Sequence, residues 1–365
     1  MKKQIEHVNW ALIIIVSVLT VIGLINLYSA LNVWGEAGNL KLVWFQMLWT
    51  VIGIIFLLIL SFSDYRIFER LAYALYVISI IFIILPLFVG GTVAGHKSWL
   101  GIGGFGIQPS EFAKVLTLIV LAKYFSENPN PDGFGFVELI KPFVIAIIPA
   151  VIVTLQGDFG SALFFVLIFA SLAWFAGIRK DVILIIAAFG ILISVAGYHY
   201  FLSDYQKARI TTFINPSFDV KGRGYHIAQS RIAVGSGKIF GKGYLKGNIN
   251  KLKYLPEKHT DFVFPVLAEE WGFVGTCVTL LFYYALLAAA IEIAKQARDR
   301  FGTFIAVGIG SYFFWQITIN IGGVLGLMPL TGVTLPLLSY GGSSTISVFA
   351  SIGLLLGVSK KRFVF

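Results

Sequence analysis

The most regular feature of the chain is a succession of apolar runs of about 20 residues, separated by short polar segments. About 20 helical residues cross the hydrocarbon core of a bilayer, so runs of this length predict membrane-spanning helices. We predict about ten of them. The predicted spans are residues 10–30, 42–62, 71–91, 107–125, 138–156, 159–178, 181–203, 262–294, 303–325 and 343–359.

The composition supports the same class. Of the 365 residues, 58% are hydrophobic and only 13% are charged, which is too few charges to cover the surface of a soluble protein of this size. No internal repeat or long linker divides the chain. We therefore expect an all-α, polytopic membrane protein with a single domain over residues 1–365.

The basic residues between the spans indicate the orientation. If the N-terminus is cytoplasmic, most lysines and arginines of the short connections fall on the cytoplasmic side, as the positive-inside rule requires. Both termini are then cytoplasmic. The inner basic residues are Arg66, Arg70, Arg179, Lys180, Lys295, Arg298, Arg300, Lys360, Lys361 and Arg362.

One long connection, residues 204–260 between the seventh and eighth predicted spans, falls outside and is also basic and rich in glycine. Long loops escape the positive-inside rule. Two interpretations of this charge stay open, attraction to anionic lipid headgroups or binding of a phosphate-bearing substrate. Both explain the net charge of +10 without a nucleic-acid partner. We expect a short interfacial helix over Tyr225–Val234.

Charged residues at the start of the eighth predicted span are candidates for chemistry, because charge near hydrocarbon is hidden, paired or functional. Glu257, His259 and Asp261 precede the apolar run, and Glu269 and Glu270 lie inside it. The alternating spacing and the lack of a second His or Cys cluster argue against a dedicated transition-metal site. A divalent cation that bridges Asp261 to a pyrophosphate stays open.

A second polar group begins the fourth predicted span. Glu111 and Lys114 are three residues apart and so share one helix face, at the edge of an apolar run. The alternatives are a helix start with a snorkelling lysine and a pair that faces an internal polar cavity, and we favour the cavity. Asp158 either caps the following helix or points into the same cavity, and here the cap is favoured.

The uncharged stretch Asn320–Ser344 contains prolines and glycines that interrupt a helix. Irregular backbone at membrane depth is tolerated only inside protein or beside a cavity. We therefore expect a packed re-entrant segment rather than an exposed apolar loop. Its hydrogen-bonding groups are Thr331, Ser339, Ser343 and Ser344.

Together these stretches resemble the SEDS family of bacterial cell-wall polymerases. The matching sequences are WLGIGGFGIQPSEFAK, QGDFGSAL, AQSRIAVGSGKIFGKGYLKGN, LPEKHTDFVFPVLAEEWGFVG and GGVLGLMPLTGVTLPLLSYGGSS. The short N-terminus and the GKGYLKGN run are more similar to the elongation members (RodA) than to the division members (FtsW). Lys97 and Gly157 depart from the family, which often has arginine and proline there.

The resemblance implies a peptidoglycan glycosyltransferase that polymerises lipid II outside the bacterial cytoplasmic membrane. It implies a class B penicillin-binding protein as transpeptidase partner, besides membrane lipid and other elongation-complex proteins. Asp261 corresponds to the family's essential aspartate and would be the general base of an inverting transfer from undecaprenyl pyrophosphate. The resemblance implies no definite cofactor, although Mg²⁺ or Mn²⁺ stays open. The residues that we expect to bind substrate are Lys97, Glu111, Lys114, Asp158, Arg209, Lys242, His259 and Ser343.

Two other functions remain as alternatives. A lipid II flippase would also have buried Glu and Lys in polytopic helices, but the chain shows no paired inverted repeats. A non-catalytic scaffold for the transpeptidase would use the apolar outer helices and would leave the polar residues unexplained.

Overall fold

The computed structural model describes residues 9–31, 40–89, 91–93, 96–102, 105–185, 223–247 and 260–361. The first helices are α1 (Trp10–Leu31), α2 (Leu40–Phe62) and α3 (Tyr65–Val89), followed by strands β1 (Gly91–Val93), β2 (His96–Ile102) and β3 (Phe105–Ile107). Then come α4 (Pro109–Glu127), α5 (Phe136–Leu155), α6 (Phe159–Ala176), α7 (Arg223–Ser236), α8 (Val263–Lys295), α9 (Arg300–Val324) and α10 (Gly342–Lys361).

The prediction of an all-α, multi-pass membrane protein is confirmed. Among the described residues, eight helices are long and apolar enough to cross a bilayer: α1, α2, α3, α5, α6, α8, α9 and α10. Helix α4 coincides with a predicted span but carries two glutamates and two lysines. Most of the predicted span 181–203 lies outside the described residues, so the total of ten stays a prediction.

Among the described residues, a small antiparallel sheet is a regular element that the hydropathy pattern did not predict. Its strands follow one another in the order β1-β2-β3 between α3 and α4. The ring of Trp99 lies over Gly106, where a Cβ would come within 2.8 Å of the ring. The glycine of the neighbouring strand thus leaves the room that the indole occupies.

Burial shows which helices form the centre. In the most apolar window of α10, 83% of the residues are buried, against 22% in α2 and in α3. Helix α4 has 14 of its 19 residues buried and contacts α3, α6, α9 and α10. The helix with the most charge at its ends is thus enclosed by protein, as expected when charge must avoid hydrocarbon.

Helix α5 continues through two prolines because its neighbours replace the lost hydrogen bonds. Each proline leaves the carbonyl four residues earlier without its helical donor. The hydroxyl of Tyr76 donates to the carbonyl of Ile145 at 2.8 Å, four residues before Pro149. The hydroxyl of Tyr124 donates to that of Glu138 at 3.1 Å, four residues before Pro142. Side chains of α3 and α4 therefore stabilise α5 where its sequence would break it.

Helix α8 is broken at Gly272, whose backbone (φ 65°, ψ −165°) is not helical. A glycine-rich hairpin, residues 237–247, follows α7 and packs against this break. The amides of Lys242 and Gly243 donate to the carbonyls of Glu269 and Glu270, each at 3.0 Å. The hairpin also accepts from the amides of α8 just beyond the break, Phe273 to Lys238 at 2.8 Å and Val274 to Ile239 at 3.0 Å.

Two buried carboxylates lie beside the break, and the protein satisfies both. Glu269 accepts from the Lys242 ammonium at 2.5 Å. Glu270 accepts from the Ser29 hydroxyl of α1 at 2.6 and 2.7 Å and from backbone amides of the hairpin. Glu269 and Glu270 are buried and face protein. They hold the hairpin and α1 against α8.

We predict that Gly241→Ala destabilises the protein by at least about 2 kcal/mol. Gly241 has φ +79°, and a Cβ would overlap the carbonyl group of Glu270. Thermal unfolding of the purified protein in detergent measures the change. The matched control is Gly235→Ala in α7, where a Cβ meets nothing within 4 Å. Equal melting temperatures for the two variants would contradict the prediction.

Candidate active site

At one end of the bundle the N-termini of α4, α6, α8 and α10 meet around the connector between α9 and α10. We call this connector the uncharged connector, residues 325–341. The amide of Gln108, just before α4, donates to the hydroxyl of Ser343 in α10 at 2.9 Å. The side-chain amide of Gln108 donates to Asp158, just before α6, at 2.7 Å. These bonds tie three helix starts together.

The uncharged connector packs into the bundle, as the sequence predicted. Leu335 and Leu338 are buried. The hydroxyl of Tyr283 in α8 donates to the carbonyl of Pro336 at 2.6 Å. The hydroxyl of Ser339 accepts from the Leu335 amide at 2.8 Å and donates to the Thr260 carbonyl at 2.6 Å. The connector therefore holds the backbone immediately before α8.

Asp261 lies in the turn that begins α8, against the same connector. The side-chain amide of Asn320 in α9 donates to the Asp261 carbonyl at 3.0 Å. A Cβ placed on Gly332 would lie 3.3 Å from Oδ2 of Asp261. The other face of the connector touches α6, since a Cβ on Gly160 would overlap the Thr331 carbonyl. Asp261 is partly exposed.

Glu111 and Lys114 form a buried ion pair in the first turns of α4. The ammonium lies 2.7 Å from the carboxylate, and the two side chains are only 7% and 1% exposed. The rings of Phe164 and Tyr312 lie 4.8 and 5.4 Å from the ammonium. The faces of aromatic rings attract a cation, so both rings stabilise the lysine. The pair faces protein, not lipid.

Asp158 caps the N-terminus of α6, as its position in the sequence predicted. Its carboxylate accepts from the Ser161 amide at 3.0 Å and so caps α6. It also accepts from Gln108, and its charge acts on Lys114. By contrast, α4 has no side-chain cap at Gln108. A capping role therefore does not explain the polar residues at the start of α4.

The other predicted substrate-binding residues are placed differently. Lys242 is paired with Glu269 in the glycine-rich hairpin. Arg209 and His259 lie outside the described residues, as does the side chain of Lys97, although its backbone belongs to β2. Their roles stay predictions.

Two residues near Asp261 were missed by the sequence reasoning. Asn320 is buried and bonded to Asp261 through its side-chain amide. His226 of α7 packs with its ring 6.4 Å from that of Phe262, the neighbour of Asp261. Asn320 had a signal, since a carboxamide inside a membrane span needs partners. His226 had none, because only tertiary packing brings α7 to α8.

Of the three alternating residues Glu257, His259 and Asp261, Asp261 lies among the described residues. Among the described residues, no three His, Cys, Asp or Glu side chains lie close enough together to hold a metal ion.

The positive potential of this end comes from backbone dipoles. A helix N-terminus carries about half a positive charge, and here four N-termini converge. The buried Lys114 is paired with Glu111, so the two together add a fixed dipole and no net charge. A carboxylate at the edge of this region accepts a proton, while an anionic group that leaves is stabilised by the positive helix ends.

Comparisons with known proteins place the chain among relatives along its whole length. The family model of the FtsW, RodA and SpoVE proteins, described as cell cycle proteins, matches residues 9–363. The chain is 34% identical over 342 residues to the peptidoglycan glycosyltransferase MrdB of Escherichia coli (strain K12), with 92% of this chain and 90% of that protein covered. It is 39% identical to the stage V sporulation protein E of Bacillus subtilis (strain 168), with 96% of both chains covered.

Solved structures show the same fold. A chain from a peptidoglycan synthase complex, studied for the coordination of polymerization and crosslinking, matches with a TM-score of 0.84 at 29% identity, with 98% of both chains covered. The rod shape determining protein RodA of Thermus thermophilus matches with a TM-score of 0.72 at 28% identity, again with 98% of both chains covered.

We predict that Lys114→Met destabilises the protein by about 3–5 kcal/mol, because it leaves the Glu111 carboxylate buried without its cation. The double variant with Glu111→Gln should recover much of this loss, since no uncompensated charge remains. Thermal unfolding in detergent measures both. Lys123→Met is the matched control, because that lysine and its partner Glu127 are more exposed. A Lys114 variant as stable as this control would contradict a structural ion pair.

Proposed function

The chain belongs to the FtsW, RodA and SpoVE family, and we propose that it is a peptidoglycan glycosyltransferase with Asp261 as its general base. The observation that supports this role is the position of Asp261. It lies at the start of α8, against the uncharged connector and at the end of the bundle where four helix N-termini converge. A carboxylate beside converging helix N-termini suits a reaction with an acceptor hydroxyl and an anionic leaving group.

The proposed reaction is a single displacement on lipid II. The Asp261 carboxylate takes the proton of the acceptor sugar hydroxyl, and the hydroxyl oxygen forms a bond to the anomeric carbon of the donor. The bond between that carbon and the pyrophosphate oxygen breaks, and undecaprenyl pyrophosphate leaves with the electron pair. The anomeric configuration inverts, so no covalent enzyme intermediate is needed.

Lys114 and the helix N-termini would stabilise the negative charge of the leaving pyrophosphate. Lys114 acts over a distance, because its ammonium is already bonded to Glu111. The pair therefore contributes a fixed, preorganised field rather than a mobile cation. Such dipoles and charges need no rearrangement when the leaving group develops its charge.

The membrane location follows from eight described helices that are apolar and long enough to span a bilayer. We further propose that the termini are cytoplasmic and that Asp261 faces outside. The distribution of lysine and arginine in the short connections supports this orientation. Membership of the elongation branch stays a prediction, since the relatives include sporulation and division proteins as well.

A class B penicillin-binding protein is the proposed partner. The similar chain of solved structure belongs to a synthase complex in which polymerization and crosslinking are coordinated. A polymerase that makes only glycan strands needs a transpeptidase nearby to crosslink them. Exposed apolar side chains of the outer helices, among them Phe273 and Tyr284 on α8, offer surface for a single membrane helix.

We predict that Asp261→Asn lowers the rate of glycan-strand synthesis from lipid II by about 10²–10⁴-fold, because a neutral amide cannot accept the proton. The measurement is gel analysis of strands made by purified protein, with and without a chelator. Asp181→Asn is the matched control, since Asp181 is exposed and paired with Arg179 at the opposite end of α6. Strand synthesis by the Asp261 variant at the control's rate would contradict the proposed role of Asp261 as general base.

The same purified proteins separate polymerisation from the alternative functions. A flippase would move lipid II across proteoliposomes equally well in the wild type and in the Asp261→Asn variant, and would make no strands. A scaffold would make no strands either and would retain transpeptidase binding in the Asp261→Asn variant. The polymerase proposal requires strands from the wild-type chain alone or with its partner.

We predict that the transpeptidase partner copurifies with the chain and that strand synthesis per molecule does not fall in the complex. The reason is that the proposed partner surface on α8 is apolar and lies away from Asp261 along the helix axis. Phe273→Ala and Tyr284→Ala together should weaken copurification while uncomplexed chains keep their activity. A partner that still binds this double variant fully would place the interface elsewhere.

A further inference from the structure

Asn320 links two separate segments at the proposed catalytic residue. Its side-chain nitrogen lies 3.0 Å from the carbonyl oxygen of Asp261 and 2.6 Å from that of Val333. Both partners are acceptors, so the nitrogen rather than the oxygen of the carboxamide must face them. One amide group therefore donates to the start of α8 and to the uncharged connector at once.

The uncharged connector, which contains Val333, also borders the Asp261 carboxylate. Val333 follows Gly332, and a Cβ on Gly332 would lie 3.3 Å from Oδ2 of Asp261. The amide of Asn320 thus fixes the distance between the backbone of Asp261 and the backbone that borders its carboxylate. Asn320 itself is only 4% exposed on α9, a central helix, so its position is rigid.

Other bonds near Asp261 hold neighbouring atoms instead. Ser339 donates to the carbonyl of Thr260, one residue earlier, and Tyr283 donates to Pro336 within the connector. Among the hydrogen bonds described above, the one from Asn320 reaches the main chain of Asp261 itself. Loss of this bond removes the restraint that Asn320 places on the Asp261 carbonyl, while the bonds of Ser339 and Tyr283 to the neighbouring segments remain.

We propose that Asn320 is a positioning residue that sets the orientation of the Asp261 carboxylate toward the acceptor hydroxyl. The inference rests on the proposed role of Asp261 as general base and adds a residue that orients its carboxylate. A general base must lie within hydrogen-bond reach of the proton that it takes. A displacement of about 1 Å in such a group lowers the rate by about 10²-fold even when no contact to substrate is lost.

The test compares Asn320→Leu with Gln316→Leu in strand synthesis from lipid II. Gln316 lies one turn earlier on α9 and is fully buried, and neither atom of its side-chain amide has a hydrogen-bond partner among the described residues. The two substitutions thus remove equally buried carboxamides from one helix face, and only the first removes a bond to Asp261. We expect kcat of the Asn320 variant to be about 10²-fold below that of the Gln316 variant.

The KM for lipid II separates positioning from binding or general damage. It should change by less than about threefold in Asn320→Leu, because the groups that hold the substrate remain. Asn320→Ser is the milder second variant, since its hydroxyl is too short to reach both carbonyls; its kcat should lie between those of wild type and Asn320→Leu. Melting temperatures of all variants identify any that fail to fold, in which case the serine variant decides.

Two results would overturn the inference: a kcat for Asn320→Leu within about threefold of Gln316→Leu, or a loss carried wholly by KM. The Asp261→Asn variant in the same assay keeps the two proposals apart. If it is inactive while Asn320→Leu is fully active, only the positioning role is wrong. If Asp261→Asn itself is active, the general base has been misassigned.

Discussion

Backbone groups without water to bond them are the constraint on which this structure depends. Inside hydrocarbon each broken helical hydrogen bond must be replaced by protein. The chain loses regular helical hydrogen bonds at the prolines inside α5, at Gly272 in α8 and at the uncharged connector, and at each place other segments supply donors or acceptors. The replacement hydrogen bonds help to fix how the apolar helices pack, because several of them join segments that are distant in sequence, such as Tyr76 to Ile145 and Tyr283 to Pro336.

The same constraint explains why the charges are where they are. Glu111 and Lys114 form an ion pair at the start of α4, beside aromatic rings, so neither charge is buried without a partner. Glu269 and Glu270 are bonded by the glycine-rich hairpin and by α1, beside a helix break whose backbone that hairpin also satisfies. One set lies at the proposed catalytic end and the other stabilises the hairpin. Similar residue types in similar spans therefore serve different purposes, and only their contacts distinguish them.

The catalytic end combines rigidity with access. Asp261 is partly exposed, yet its backbone is held through Asn320 and its neighbour Thr260 through Ser339. Rigid support matters for a base that must meet a substrate diffusing within the membrane plane, because a preorganised group loses little entropy when the substrate arrives. The helix N-termini around the connector direct backbone N–H dipoles toward the place where we propose that the pyrophosphate binds.

The sequence alone determined the membrane class, the eight apolar spans that the structure describes and the candidate carboxylates, because these depend on local hydropathy and on the high cost of charge in hydrocarbon. It also indicated that the uncharged connector would pack inside. Three sets of contacts were visible only in the tertiary structure. They are the ion pair of Lys242 with Glu269, the hydrogen bonds of the tyrosines to α5, and the hydrogen bond from Asn320 to Asp261. Each of these contacts joins separate segments of the chain. A local sequence pattern indicates that a polar group needs a partner, but it does not indicate which segment provides that partner.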